Sequence, residues 1–354
     1  MFGTADWDMV KKRWTAFWNN DIVDRCLVSV QAPLSHAPKE TITDAEEIRR
    51  YWTDPERIVK RQRDTMKRTY LAGDAFHVYW HNLGASGHAG YFRDANYEFG
   101  QNTMWFHPSV PSRDAMPEFE PEGFLYSKTL DIARYLSAEA GQEFVVSMPD
   151  CSGNVDALAS LRGSENVLVD MIDAPDAVRR SLRKIQGVYE RTYDDVMPIL
   201  AKNNDGGSSI GWLRTWAPGL HAQMQSDISV MISPESFNEF VAEELRTQCD
   251  YLDYPLYHFD GIEQIRHLDT LLSIKKLRAI QWTQVAGQPK ATEHIDVLTR
   301  IQKSGKALLI CVNPDQIRPL MSALSSKGLA LITTAKSADE ADAIVSQVQS
   351  LTHD

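Results

Sequence analysis

What most restricts the fold of this chain is a repeated alternation of short apolar runs with longer amphipathic ones across its last two thirds. Residues 144–148 read as a strand closed by Pro149-Asp150, 155–162 and 177–201 as helices, and 209–213 as the next strand. A helix then opens at Ser233, an N-cap followed by Pro234 at the first helical position. Phe237, Phe240, Val241 and Leu245 recur in it at helical spacing. Strands at 256–260, 279–282, 307–312 and 328–333 follow, with helices at 263–272, 294–304 and 339–351. Upstream, 6–20 reads as an amphipathic helix with aromatic anchors, 26–30 as a first strand, 44–70 as a helix split by Pro55, and 76–80 as a second strand. Residues 1–70 thus form an N-terminal helical extension that includes the first strand. The count, roughly eight strand-helix pairs, predicts an α/β chain folded as one (β/α)8 TIM barrel over residues 1–354 rather than an open doubly wound sheet. No dinucleotide glycine fingerprint or Walker loop argues for the open sheet.

In such a fold, chemistry belongs at the carboxyl ends of the strands. Leu256-Tyr257-His258-Phe259-Asp260-Gly261 ends a strand there, and alternation places His258 and Asp260 on one face before Gly261 lets the chain turn. His258 suits a metal ligand or a general acid or base, and Asp260 can orient that imidazole, bind metal, or cap the next helix. Asp227, in the polar connection before the Ser233 helix, is the second catalytic acid. Asp150, just past a strand, is a substrate-binding candidate, and Cys311, ending the 307–312 strand, is a third metal ligand or a packed core thiol. Trp80, Trp105, Trp212, Trp216 and Trp282 fall at or beyond strand ends and can wall a flat or cationic ligand, or close the barrel mouth. His81 and His107 flank two of them. Arg214, between Trp212 and Trp216, is the first choice for holding a substrate carboxylate.

Composition removes several classes. At 354 residues and 43% hydrophobic the chain has ample material for a core. A net charge of −11 and a pI near 5.4 argue against a nucleic-acid partner, because phosphate binding needs a basic stripe. The cluster Lys60-Arg61-Gln62-Arg63 with Lys67-Arg68 has the spacing of a solvated helix face. Cys26, Cys151, Cys249 and Cys311 are scattered without a CxxC pair, which suits reduced thiols. With no signal-peptide pattern and no membrane-length apolar run, a cytoplasmic monomer or homodimer is expected.

Four segments in order resemble the uroporphyrinogen decarboxylase superfamily, which includes corrinoid-linked methyltransferases. They are Leu158 to Asp173, Ile232 to Phe240 (Ile-Ser-Pro-Glu-Ser-Phe-Asn-Glu-Phe), Tyr257 to Gly261, and Ala279 to Gly287 (Ala-Ile-Gln-Trp-Thr-Gln-Val-Ala-Gly). The resemblance implies a TIM barrel with its cleft at the strands' carboxyl ends. In the methyltransferase branch it further implies a zinc ion, a small-molecule substrate, and a corrinoid (cobalamin) on a carrier protein as methyl partner. That branch holds zinc with a His-x-Cys pair and a later cysteine; this chain reads His258-Phe259-Asp260, and Thr333-Thr334 late on. Imidazole and carboxylate are both zinc ligands, so a His and Asp set can replace the thiolates. The decarboxylase branch places arginines after the first strand, and Gln31-Ala32-Pro33-Leu34-Ser35-His36 has none. Three functions stay open at this point: a corrinoid-linked methyltransferase, a metal-free decarboxylase or lyase on a smaller acid, and a non-catalytic tetrapyrrole or small-ligand carrier.

Overall fold

The computed structural model describes residues 1–36, 42–151 and 153–354. Helix α1 (Trp7–Trp18) precedes strand β1 (Leu27–Pro33), and α2 (Ala45–Thr53) and α3 (Pro55–Met66) lead to β2 (Thr69–Gly73). The break at Pro55 arises as the sequence predicts. Asp54 ends α2, and its carboxylate accepts the Glu56 and Arg57 N–H groups that open α3. Next come β3 (Val78–Tyr79), a hairpin of β4 (Asn96–Phe99) and β5 (Met104–His107), α4 (Phe124–Ala140), and β6 (Val145–Val146). Three helices follow: α5 (Asn154–Arg162), α6 (Ser164–Asp173) and α7 (Pro175–Leu200). After β7 (Gln223–Met224) and a 3-10 turn at Asp227–Met231, α8 (Pro234–Ser236) passes through a π turn into α9 (Ala242–Tyr251). The chain closes with β8 (Leu256–Asp260), α10 (Leu268–Ser273), β9 (Ala279–Thr283), α11 (Ile295–Lys303), β10 (Ala307–Cys311), α12 (Pro314–Ala323), β11 (Leu329–Thr334) and α13 (Ala338–Leu351).

Seven strands pair in the order β2-β1-β11-β10-β9-β8-β7, parallel throughout except for the antiparallel edge strand β2. β3 and β6 form a separate parallel pair, tied onward by the Met148 N–H to the Ser209 carbonyl at 3.0 Å. The fold is therefore mixed α/β around a mainly parallel seven-stranded sheet. Alternation along these strands sorts the side chains into two layers. Tyr257, Phe259, Ile280, Trp282, Leu308, Ile310, Leu329 and Leu331 join the large core that includes residues of α11, α12 and α13. Leu27, Leu256, Ala279, Ala307, Leu309, Ala330 and Ile332 meet α1 and residues 210–217 on the opposite face.

That opposite face decides where the site can be. Ser208 and Ala217 exchange both backbone hydrogen bonds at 3.0 Å, forming a narrow hairpin whose Ile210, Leu213 and Trp216 lie in the same cluster as Ala279, Ala307 and Ala330. Alanines at those strand starts leave the volume that the hairpin fills. Trp7, Trp14 and Trp18 close the amino-terminal side, and Trp18 donates its indole N–H to the Trp216 carbonyl at 2.9 Å. The strand expected at 209–213 is replaced by this turn: Arg214 has φ +51°, and the Thr215 hydroxyl accepts the Ile210 N–H. Neither is compatible with an extended strand. Helices α4 and α12, the edge strand β2 and the β4–β5 hairpin are elements that the sequence pattern does not predict.

Candidate active site

β8 carries its apolar residues Tyr257 and Phe259 into the helix-covered core, which leaves His258 and Asp260 on the other face, at the carboxyl end. In register, His258 lies opposite Gln281 of β9. The imidazole Nδ1 donates to the Gln281 side-chain carbonyl at 2.5 Å, with the Thr283 hydroxyl 3.2 Å away. Gln281 in turn donates its amide N–H to the Thr283 hydroxyl at 2.7 Å, with its carbonyl oxygen toward the histidine. A carbonyl oxygen only accepts, so Nδ1 carries the proton and Nε2 keeps a bare lone pair. Nε2 is 3.9 Å from the Asp260 carboxylate. The Trp212 ring stands edge-on to the imidazole, centroids 4.9 Å apart. Burial holds His258 below its usual pKa, opposed by the Gln281 hydrogen bond and then by Asp260.

Acids crowd the rest of the site. One ligand atom each from Asp227, His258 and Asp260 lies within 4.8 Å of the others, the geometry of a potential three-residue metal site. Asp156, in the first turn of α5, accepts the backbone N–H groups of Asp227 and Ile228, both at 2.9 Å, and so fixes the turn that presents Asp227. Desolvation, then the Asp227 charge, push Asp156 up to about 7. Asp227 is exposed at the rim, but protein surrounds its carboxyl, and desolvation, then Asp260 and Asp150, raise it to about 6. Beneath them Glu244 is buried, pushed up to about 8 by desolvation; its Oε1 accepts the Asn154 N–H and the Gln248 amide, both at 3.1 Å. No lysine or arginine pairs with Asp156, Asp227 or Asp260 among the described residues. Asp156, Asp227, Phe106 and Met231 line an open cleft of about 460 Å³.

The proposed site residues separate into those that meet and those that do not. His258, Asp260, Asp227 and Trp212 converge, and Asp150, whose carboxylate accepts the Gln223 amide at 3.0 Å, is close enough to shift both Asp227 and His258. Arg214 sits at the hairpin tip with Trp212. Trp80 packs its backbone against the same tip at Gly211, where a Cβ would come within 2.5 Å of the Trp80 Cα. The His81 ring is buried with neither nitrogen hydrogen-bonded among the described residues, and desolvation lowers it to about 4. Trp105 and His107 lie on the β4–β5 hairpin, Trp105 59% exposed and His107 facing Glu98 at 3.7 Å.

Three assignments are corrected by the geometry. Trp282 faces the helices, stacked on Phe259 at 5.4 Å and near His294, because strand parity opposes it to Phe259 rather than to His258. Trp216 packs on Trp7 at the amino-terminal side, turned away by the hairpin. Cys311 shares the face of His258, yet the third group converging on His258 and Asp260 is Asp227. Burial pushes the Cys311 thiol up to about 11, which disfavours a thiolate ligand.

Asp156, Gln281 and Glu244 are not singled out by the sequence pattern. A glutamine among strand residues Ala-Ile-Gln-Trp-Thr is the available signal for Gln281, and an acid one turn into a helix at a strand's carboxyl end is the signal for Asp156. Glu244 looks like any surface glutamate on an amphipathic helix.

No family model and no curated protein matches this chain. Among solved structures, a methyltransferase from Methanosarcina mazei superposes with a TM-score of 0.58 over 97% of this chain and 98% of its own, at 11% identity. At that identity the likeness is one of fold, and it extends over nearly the full length of both chains.

Proposed function

We propose that this chain is a methyltransferase whose carboxyl-end cleft holds a divalent zinc ion on Asp227, His258 and Asp260, and which moves a methyl group between a small substrate and a corrinoid (cobalamin) on a carrier protein. In this reading residues 1–354 act as one (β/α)8 unit, closed into a ring. The observation that carries it is the bare Nε2 of His258 at 3.9 Å from the Asp260 carboxylate, with Asp227 completing the cluster. A histidine whose other nitrogen is engaged by a fixed acceptor is the arrangement of metal-ligating imidazoles, and three acids without a basic partner favour a bound cation. Zinc bound there supplies Lewis acidity and a lowered pKa for a coordinated acceptor. Gln281 and Thr283 hold the His258 tautomer, Asp156 holds the Asp227 turn, and Trp212 screens the imidazole from water.

A metal-free decarboxylase or lyase is the second reading, favoured by the raised pKa of Asp227. An acid near 6 retains a proton part of the time and can deliver it to a carbanion, with His258 relaying it. A non-catalytic barrel that binds a tetrapyrrole or small ligand is the third. Metal analysis of the purified protein and of His258→Ala, followed by an absorption titration with cobalamin before and after chelation, separates them. Stoichiometric zinc lost in His258→Ala, together with a cobalamin response that chelation abolishes, supports methyl transfer. A metal-free protein with chelator-resistant carboxy-lyase activity overturns it in favour of the second.

A further inference from the structure

Several arginines set into this protein end on carboxylates: Arg13 and Arg25 on Asp74, and Arg162 on Asp170. Arg214 does not. Its guanidinium makes no hydrogen bond or ion pair with any described residue, although the side chain is half-buried. Desolvation lowers its pKa, and the neighbouring titratable group is the Cys311 thiol rather than an acid. The position is also held rigidly. Its backbone N–H bonds the Gly211 carbonyl in a tight turn, and the residue sits at φ +51°, where a bulky side chain is disfavoured. The turn is fastened below by a hydrogen-bonded chain: the His221 Nδ1–H donates to the Tyr254 carbonyl at 2.6 Å, so its Nε2 accepts from the Thr215 hydroxyl at 2.8 Å. Two residues before Arg214, Trp212 touches His258. A strained, rigid hairpin therefore carries a guanidinium without an acid and an indole against the imidazole, on the sheet face that bears the acid cluster.

Resting on the methyl-transfer reading, we infer that the substrate is a small monoanionic organic acid whose carboxylate or sulfonate is held by Arg214 while its apolar body lies along Trp212 and its reacting end reaches His258. One guanidinium supplies a fork for a single oxyanion. With Asp150, Asp227 and Asp260 at the same end of the sheet and no second unpaired cation at the hairpin tip among the described residues, a phosphate dianion is disfavoured by like-charge repulsion.

Calorimetric titration of the zinc-loaded protein with benzoate, benzenesulfonate, benzamide and phenyl phosphate tests this directly. One of the two monoanions is expected to bind at least about tenfold more tightly than benzamide and phenyl phosphate, and the better of them names the oxyanion. Arg214→Gln is expected to remove that preference while unfolding at the same or a higher temperature, since it deletes an uncompensated buried charge. Arg214→Lys, which keeps the charge without the fork, is expected to recover part of it. Repeating the titration after chelation keeps the two claims apart: monoanion binding lost in Arg214→Gln but retained without metal supports the anchor even if the metal reading fails. Equal binding of benzamide and benzoate, or undiminished benzoate affinity in Arg214→Gln, overturns the proposal.

Discussion

Two regions of this molecule bury charge, and they do so in opposite ways. Near the amino ends of the strands Asp74 is fully buried, but Arg13 meets one carboxylate oxygen at 3.0 Å, and Arg25 and the Val28 N–H meet the other at 2.5 and 3.0 Å. Arg13 is further engaged by Asp24 at 2.6 Å. Every charge there has a partner, and the network ties α1 to β1 and the end of β2. At the carboxyl ends the signs are kept apart: Asp156, Asp227 and Asp260 crowd around His258 without a basic partner, and Arg214 stands without an acid. Folding gains nothing from such separation, because each uncompensated charge raises the free energy of the native state. The amino-end network is a structural clamp, whereas the carboxyl-end arrangement is completed only by something that binds.

The sharpest way to break this contrast is to delete one acid from each region. Asp74→Ala strands the Arg25 guanidinium and takes one of the two acids from Arg13, and is expected to cost about 3–5 kcal/mol in chemical denaturation. Asp260→Asn, by contrast, is expected to leave stability unchanged or raised in metal-free protein. Comparable losses in both would erase the distinction. Smaller and more local is Gln281→Leu, which frees the His258 tautomer. A reduction of roughly 10–100-fold in zinc affinity, with little change in the unfolding midpoint, is expected from competition with a chelating dye.

The pH dependence sharpens the comparison further. In the unfolded chain an aspartate ionises near 3.9, whereas Asp227 in the folded protein does so near 6, so the folded state holds more protons between those values. Stability contributed by this group is therefore present at low pH and lost as pH rises from about 4 to about 6. Asp24 and Asp205, lowered chiefly by Arg13 and Lys11, act in the opposite sense and lose stability as pH falls. In metal-free protein, denaturation of Asp227→Asn beside the parent across that window should show a variant advantage that grows with pH. A constant difference would mean that Asp227 is not held in its acid form. The smallest effect expected is Thr283→Val, which removes the hydroxyl that contacts both His258 and the Gln281 amide and should weaken zinc binding by roughly 2–10-fold in the same dye assay.

Much of the architecture is legible in the sequence because it depends on patterns that local physics enforces. Continuous apolar runs at β10 and β11 mark strands buried on both faces, and Asp54-Pro55 marks a helix boundary whatever surrounds it. Period-two alternation likewise puts His258 and Asp260 on one face, whichever strands lie beside β8. Other elements are hidden for physical reasons. β7 is two residues long, too short for a period to register, and residues 209–213 resemble a strand in composition until the positive φ of Arg214 shows a turn. Trp282 illustrates the limit in a single residue. Its nearness to a strand end is readable, but which face it takes depends on the register that pairs it with Phe259.

The amino-acid sequence by itself determined the late strands β8 to β11, the helix boundary at Pro55, and the candidacy of His258 with Asp260, since all three follow from the spacing of side chains along a few neighbouring residues. Tertiary structure alone decided that Asp227 joins them in place of Cys311, that Asp156 and Gln281 support them, and that Arg214 faces no acid. Those relations join residues tens of positions apart. They are fixed by how parallel strands register and how a hairpin fills the space three alanines leave, which no local pattern encodes.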